Sequence, residues 1–186
     1  MIRKLAIVFG MAVLAAMTLA PAAVATGHGD HTYYDELYCD GAYEDIDVEG
    51  DVYVGYGDKC EISYSYIEGN VIVDGGKLKL TGSSVYGNIE AEYAKKVIVK
   101  DSYIEGNVTA YKTKRNVIVK GNEIYGNIEV AHTKYGKVRI VHNYVDGNIT
   151  AYENHGDLLI KHNEVCGDVE YYDNYGAVHV GPNYYC

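Results

Sequence analysis

The residues that could do chemistry are few, and they lie far apart. Near the start, Thr26-Gly27-His28 follows Ala25, with Asp30 and His31 close behind. A chain cut after Ala25 would expose a free amine, two ionisable amides and the His28 imidazole. Those four nitrogens make a square-planar set suited to Cu(II) or Ni(II). Farther on, His142 and His162 share one position of a repeat, near Glu164 and Asp157. Such a pair would hold a metal or respond to pH, although two exposed strand-end histidines give the same pattern. The carboxylates are spread along the chain, with no close acid pair of the kind glycoside cleavage uses. No Ser–His–Asp set and no phosphate-cradling glycine loop is present, because the glycines recur at a fixed spacing instead.

The remaining candidates are tyrosines and acids in two columns. The chain holds 21 Tyr, one Phe and no Trp. That excess of Tyr over Phe fits rings packed at their bases with hydroxyls left wet. Directly before the glycines from Gly69 to Gly167 that recur along the chain stand Glu68, Tyr86, Glu105, Tyr125, Asp146 and Cys166, and Tyr66, Tyr103 and Tyr144 lie two residues earlier. Three residues after the glycine stand Ile72, Glu90, Thr109, Glu129, Thr150 and Glu170. Acids alternate with neutral residues, which keeps like charges from stacking. The alternation also argues against a calcium ladder, which gathers carboxylates around one ion. Tyr66, Glu68, Tyr86, Glu90, Tyr103, Glu105, Tyr125, Glu129, Tyr144 and Asp146 form the expected binding face, for an extracellular polysaccharide or a cell-surface protein.

These columns exist because the chain repeats. Gly-Asn or Gly-Asp steps occur at Gly50, Gly69, Gly87, Gly106, Gly126, Gly147 and Gly167, at intervals of 19, 18, 19, 20, 21 and 20 residues. Between them run apolar residues in strict alternation, such as Val97-Ile98-Val99 and Val117-Ile118-Val119. A period of two means strand, and β-branched residues, Gly and Asn argue against helix. Aligned on the glycine, the apolar positions superpose into inward columns, one of them Ile67, Val85, Ile104, Ile124, Val145 and Val165. One coil cannot bury its own apolar side, but stacked coils can, at ~4.8 Å per layer. The reading is a single-domain, all-β parallel β-solenoid of about seven or eight coils, each 18–21 residues long. Each coil has three short strands and three corners, with the recurring Gly expected at positive φ. A column of Ser65, Ser83, Ser102, Asn122, Asn143, Asn163 and Asn183 suits a hydrogen-bonded side-chain ladder.

Four cysteines allow three pairings. Cys39 and Cys60 are one coil apart, and so are Cys166 and Cys186. Equivalent positions on adjacent coils fall within disulfide reach, so Cys39–Cys60 and Cys166–Cys186 are expected to staple the two ends.

The first residues are read as a secretory leader. Arg3 and Lys4 precede an apolar run from Leu5 to Ala20, and Ala23-Val24-Ala25 is a small-x-small cleavage pattern. Residues 1–25 are then signal peptide, 26–45 a tail and cap, and 46–186 the solenoid with a C-terminal cap. This implies a secreted or cell-envelope protein in an oxidising compartment, without a membrane span after cleavage. A formal net charge of −10 disfavours nucleic acid. Basic residues cluster in mid-chain at Lys95, Lys96, Lys112, Lys114, Arg115, Lys134 and Lys137. They would align neighbouring rods in self-association, hold an anionic glycan, or only be solvated.

The run Val117-Ile-Val-Lys-Gly-Asn-Glu-Ile-Tyr-Gly-Asn-Ile resembles small secreted bacterial proteins of right-handed parallel β-helix repeats. It is more distantly similar to the polymer-forming bactofilin-like β-helices. The resemblance covers roughly Asp45 to Cys186 and implies the fold, and for the second group self-association. Polysaccharide lyases share the architecture, but their calcium-Asp plus Arg pattern is not in register here. The expected function is therefore a non-enzymatic structural or binding module with no cofactor. The alternatives are a carbohydrate-active enzyme, lyase- or glycosidase-like, or a copper-binding secreted protein acting through Thr26, Gly27 and His28.

Overall fold

The computed structural model describes residues 32–186. The leader assignment and the Thr26-Gly27-His28 site lie outside the described residues. Among those residues no helix is long and apolar enough to cross a membrane. The described residues form a parallel β-solenoid with three sheets of nine, eight and eight strands.

One coil shows the plan. Tyr103–Ile104 lies in the first sheet, Val108–Tyr111 in the second and Val117–Lys120 in the third. Glu123–Ile124 then returns to the first sheet, paired in parallel with Tyr103–Ile104. Residues with the same repeat position sit in register, as Val97 with Val117 and then Val138. Every strand therefore stacks on its own repeat neighbour, and alternation along the strand becomes inside and outside. The column Ile67, Val85, Ile104, Ile124, Val145, Val165 is completely buried. Each such side chain contributes about 1.5–3 kcal/mol on burial.

The corners are held by polar ladders. Ser65, Ser83, Ser102, Asn122, Asn143 and Asn163 are all buried. Each side-chain oxygen accepts the backbone N–H one coil earlier, as Ser83 Oγ does from Ser65 and Asn163 Oδ1 from Asn143. A second ladder follows the glycines through Asn70, Asn88, Asn107, Asn127 and Asn148. Asp51 begins it, accepting the Asn70 N–H, and that contact holds its carboxyl below the usual range. A third ladder, Thr133 to Asn154 to Asn174, supports the corner entering the third sheet.

The glycine corners differ from expectation. Positive φ occurs at the other two corners, at Asp45, Tyr64, Asp101, His142 and His162 on one, and at Tyr93, Lys112, His132, Glu153 and Asp173 on the other. None of the Gly-Asn glycines has positive φ. Close approach demands glycine there instead. A Cβ on Gly106 would stand 2.6 Å from both Asn88 Oδ1 and Gly87 O.

Both expected disulfides are present, with Cα separations of 5.3 Å for Cys39–Cys60 and 4.6 Å for Cys166–Cys186. The segment read as an N-terminal cap includes strands Leu37–Tyr38 and Gly41–Glu44, which pair with the next coil. At the other end, Val178–Val180 and Tyr184–Tyr185 extend the ladders and cover Ile160 and Val165. Tyr171, in register with the buried Ala151, is exposed there, as are Val178, Val180 and Tyr185. No further coil among the described residues lies over them.

Candidate functional site

Every coil from Tyr66 to Asp146 places one tyrosine on the outer surface of the first sheet. The ring comes alternately from the two outward columns: Tyr66, Tyr86, Tyr103, Tyr125, Tyr144. Successive ring centroids are 4.9, 5.8, 5.5 and 6.2 Å apart. Where one column supplies the ring, the other supplies Glu68, Ser84, Glu105, Glu123 or Asp146. The zigzag arises because two-residue strands expose both neighbours of a single inward residue, such as Tyr103 and Glu105 around Ile104.

The rings are partly covered: Tyr66, Tyr86 and Tyr125 are exposed, and Tyr103 and Tyr144 half-buried. Packing against neighbouring rings desolvates the Tyr66 and Tyr103 phenols and raises both above the ordinary value. Tyr125 Oη donates to Glu123 Oε1 at 2.7 Å, and this bond pushes the phenol up to about 12. The face thus combines flat carbon surfaces with carboxylate acceptors at a fixed pitch.

Glu90 and Glu129 do not join the tyrosine row. They lie on the second sheet, beyond the asparagine corner, in a shallow groove of about 920 Å³. Thr109 separates them in the register. Tyr152 Oη donates to Glu129 Oε1 at 2.9 Å, and that bond pushes the Tyr152 phenol up to about 12.

The groove has an aromatic rim that the sequence reading missed. Tyr111 and His132 have centroids 4.9 Å apart, His132 and Tyr152 5.7 Å, and Tyr152 and Tyr172 5.2 Å with nearly parallel planes. The signal was the column five after each glycine: Asp74, Glu92, Tyr111, Ala131, Tyr152 and Tyr172. The small Ala131 leaves room for the ring of His132, its successor in the chain.

His142 and His162 do meet, with centroids 5.0 Å apart. Among the described residues, no three His, Cys, Asp or Glu side chains converge in a metal-binding group. The third sheet presents a different chemistry. A cleft of about 650 Å³ there is lined by lysines, Arg115 and Glu61.

Set against family models, curated proteins and solved structures, the chain matches none of them. Its own surfaces are therefore the ground for a functional reading.

Proposed function

We propose that this protein is a non-enzymatic extracellular or cell-envelope module that holds an extended polysaccharide on its tyrosine face. The observation that carries the reading is the unbroken row of five rings, with neighbouring centroids 4.9 to 6.2 Å apart. Sugar rings pack their C–H faces on aromatic rings, while phenols and carboxylates take the sugar hydroxyls. A solenoid core keeps the rings in place before the ligand arrives, which lowers the entropy cost of binding. Two disulfides in a β-solenoid are compatible with an extracellular setting.

Titration of the oxidised protein with a panel of neutral and uronate oligosaccharides tests this reading. Tyr103→Ala, in mid-row, is expected to weaken the bound oligosaccharide at least tenfold. Tyr38→Ala, on the second sheet, is expected to leave affinity unchanged. Equal affinity in both variants would discard the tyrosine row as the site. Reducing-sugar release in the same assays, lost in Glu90→Gln, would instead favour a carbohydrate-active enzyme using the second-sheet groove.

A further inference from the structure

The cations of this acidic protein are confined to one side. Every Lys and Arg among the described residues lies in a strand of the third sheet or in the corner leading into it. The first and second sheets carry none. On the third sheet, Lys59 pairs in register with Lys77, and Lys77 with Lys96. Lys100 pairs in register with Lys120. Like charges placed directly opposite are destabilising.

Of this column the anions at hand pair only Lys59. Glu61 binds Lys59 at 2.6 Å and Lys79 at 3.2 Å, and these two contacts hold its carboxyl below the usual range. Among the described residues, Lys77, Lys95, Lys96, Lys114 and Arg115 have no carboxylate partner. Lys95 and Lys114 stand over one tyrosine ring, Tyr56, at 5.3 and 5.5 Å from its centroid. Shared between two ammonium groups, that ring gathers positive charge at the rim of the cleft.

We propose that this cleft binds a linear anionic polysaccharide running along the rod, its acid groups on the Lys59–Lys77–Lys96 column. The column offers one ammonium per coil, a pitch of ~4.8 Å. A chain with an acid on each sugar meets every step. A second copy of this protein fits less well, because the acids on its first sheet zigzag between two columns, as at Glu105, Glu123 and Asp146, and its in-register pair Asp74 and Glu92 spans only two coils. The site lies on a different sheet from the tyrosine row, so it stands or falls separately from the function proposed above.

The test uses the full oxidised protein with polygalacturonate as probe, and with neutral dextran, inorganic phosphate and duplex DNA as further arms. Polygalacturonate is expected to bind, and dextran not to compete for the cleft. Lys77→Gln combined with Lys96→Gln is expected to lower affinity at least tenfold. It should also reduce the slope of log K against log salt by about two, one released counterion per lost contact. The same double variant should melt no lower than the parent, since it removes a like-charge stack; this separates a lost site from a lost fold. Lys161→Gln, on the same sheet but outside the cleft, should change polygalacturonate affinity less than twofold. Unchanged affinity in the double variant overturns the proposal. So does displacement by phosphate at equal charge concentration, or DNA binding as tight as polygalacturonate.

Discussion

Asn143 Oδ1 accepts two hydrogen bonds from Asn122, one from the backbone N–H and one from the side-chain amide, each 3.0 Å long. The Asn122 amide also donates to Val99 O at 3.1 Å. An amide side chain is suited to this corner because it accepts from one coil and donates to another. All of it happens in a buried setting, where an unmade bond is costly.

Asn143→Ala is therefore expected to leave the Asn122 N–H and amide short of an acceptor, at a cost of about 3 kcal/mol. Asn143→Ser should cost less, about 1 kcal/mol, because Ser83 Oγ already serves the Ser65 N–H in this way. Urea unfolding curves of the two variants read the difference. Equal midpoints for Asn143→Ala and the parent would mean the ladder does not hold the corner.

Gly106→Ala should destabilise by about 1–3 kcal/mol, the usual cost of overpacking. The added methyl would meet Gly87 O and Asn88 Oδ1 at 2.6 Å, and neither backbone nor ladder has room to retreat. Thermal unfolding measures it. A neutral result would show that the coils separate more easily than their packing implies.

Removing the C-terminal staple with Cys166→Ser and Cys186→Ser should loosen the final coil. The bridge closes a loop of one coil, which stabilises by about 3 kcal/mol in the loop-entropy model. The coil it secures has exposed inward residues Val178, Val180 and Tyr185, so little apolar burial holds it otherwise. Hydrogen exchange should rise in strands Val169–Tyr172 and Val178–Val180, while Val97 to Ile140 stays protected. Uniform protection in both forms would count against this account.

Like Tyr152, Tyr125 should titrate late in alkali. Its phenol is raised from 10.0 to about 12 because it donates to Glu123. The folded state thus holds this proton more tightly than the unfolded chain does. That contribution to stability is complete below pH 10.0 and is lost as pH climbs toward about 12. Phenolate absorbance should show two late-titrating tyrosines, and Glu123→Gln should move one of them back toward 10.0. No change in that variant would separate the shift from the Glu123 contact.

Much of this architecture was legible in the chain. Register followed from the spacing of Gly50 to Gly167, and the Cys166–Cys186 disulfide followed from register, because those two residues occupy matching positions on neighbouring coils; Cys60 aligns instead with Gly41, two residues past its partner Cys39. The Ser65 to Asn183 ladder was legible for the same reason. The conformation of the corners was not. Glycine was expected there for positive φ and is needed for close approach, while the positive φ falls to residues such as Tyr93 and His132. A residue's type cannot distinguish a backbone constraint from a steric one.

The candidate site divided in the same way. Alternation alone put Tyr66, Tyr103 and Tyr144 on the outside, and it put Glu90 and Glu129 there as well. A period of two states that a side chain points outward, but not toward which of three directions. Only the turning of each coil at the Gly-Asn corner separates the tyrosine row from the acidic groove. The repeat register stacks Lys59, Lys77 and Lys96 into one column, and the same turning sets that column on a face of its own. Repetition along the chain determined which residues stack. The angles at the three corners, set by contacts between coils that no single repeat contains, decided which stacks share a face.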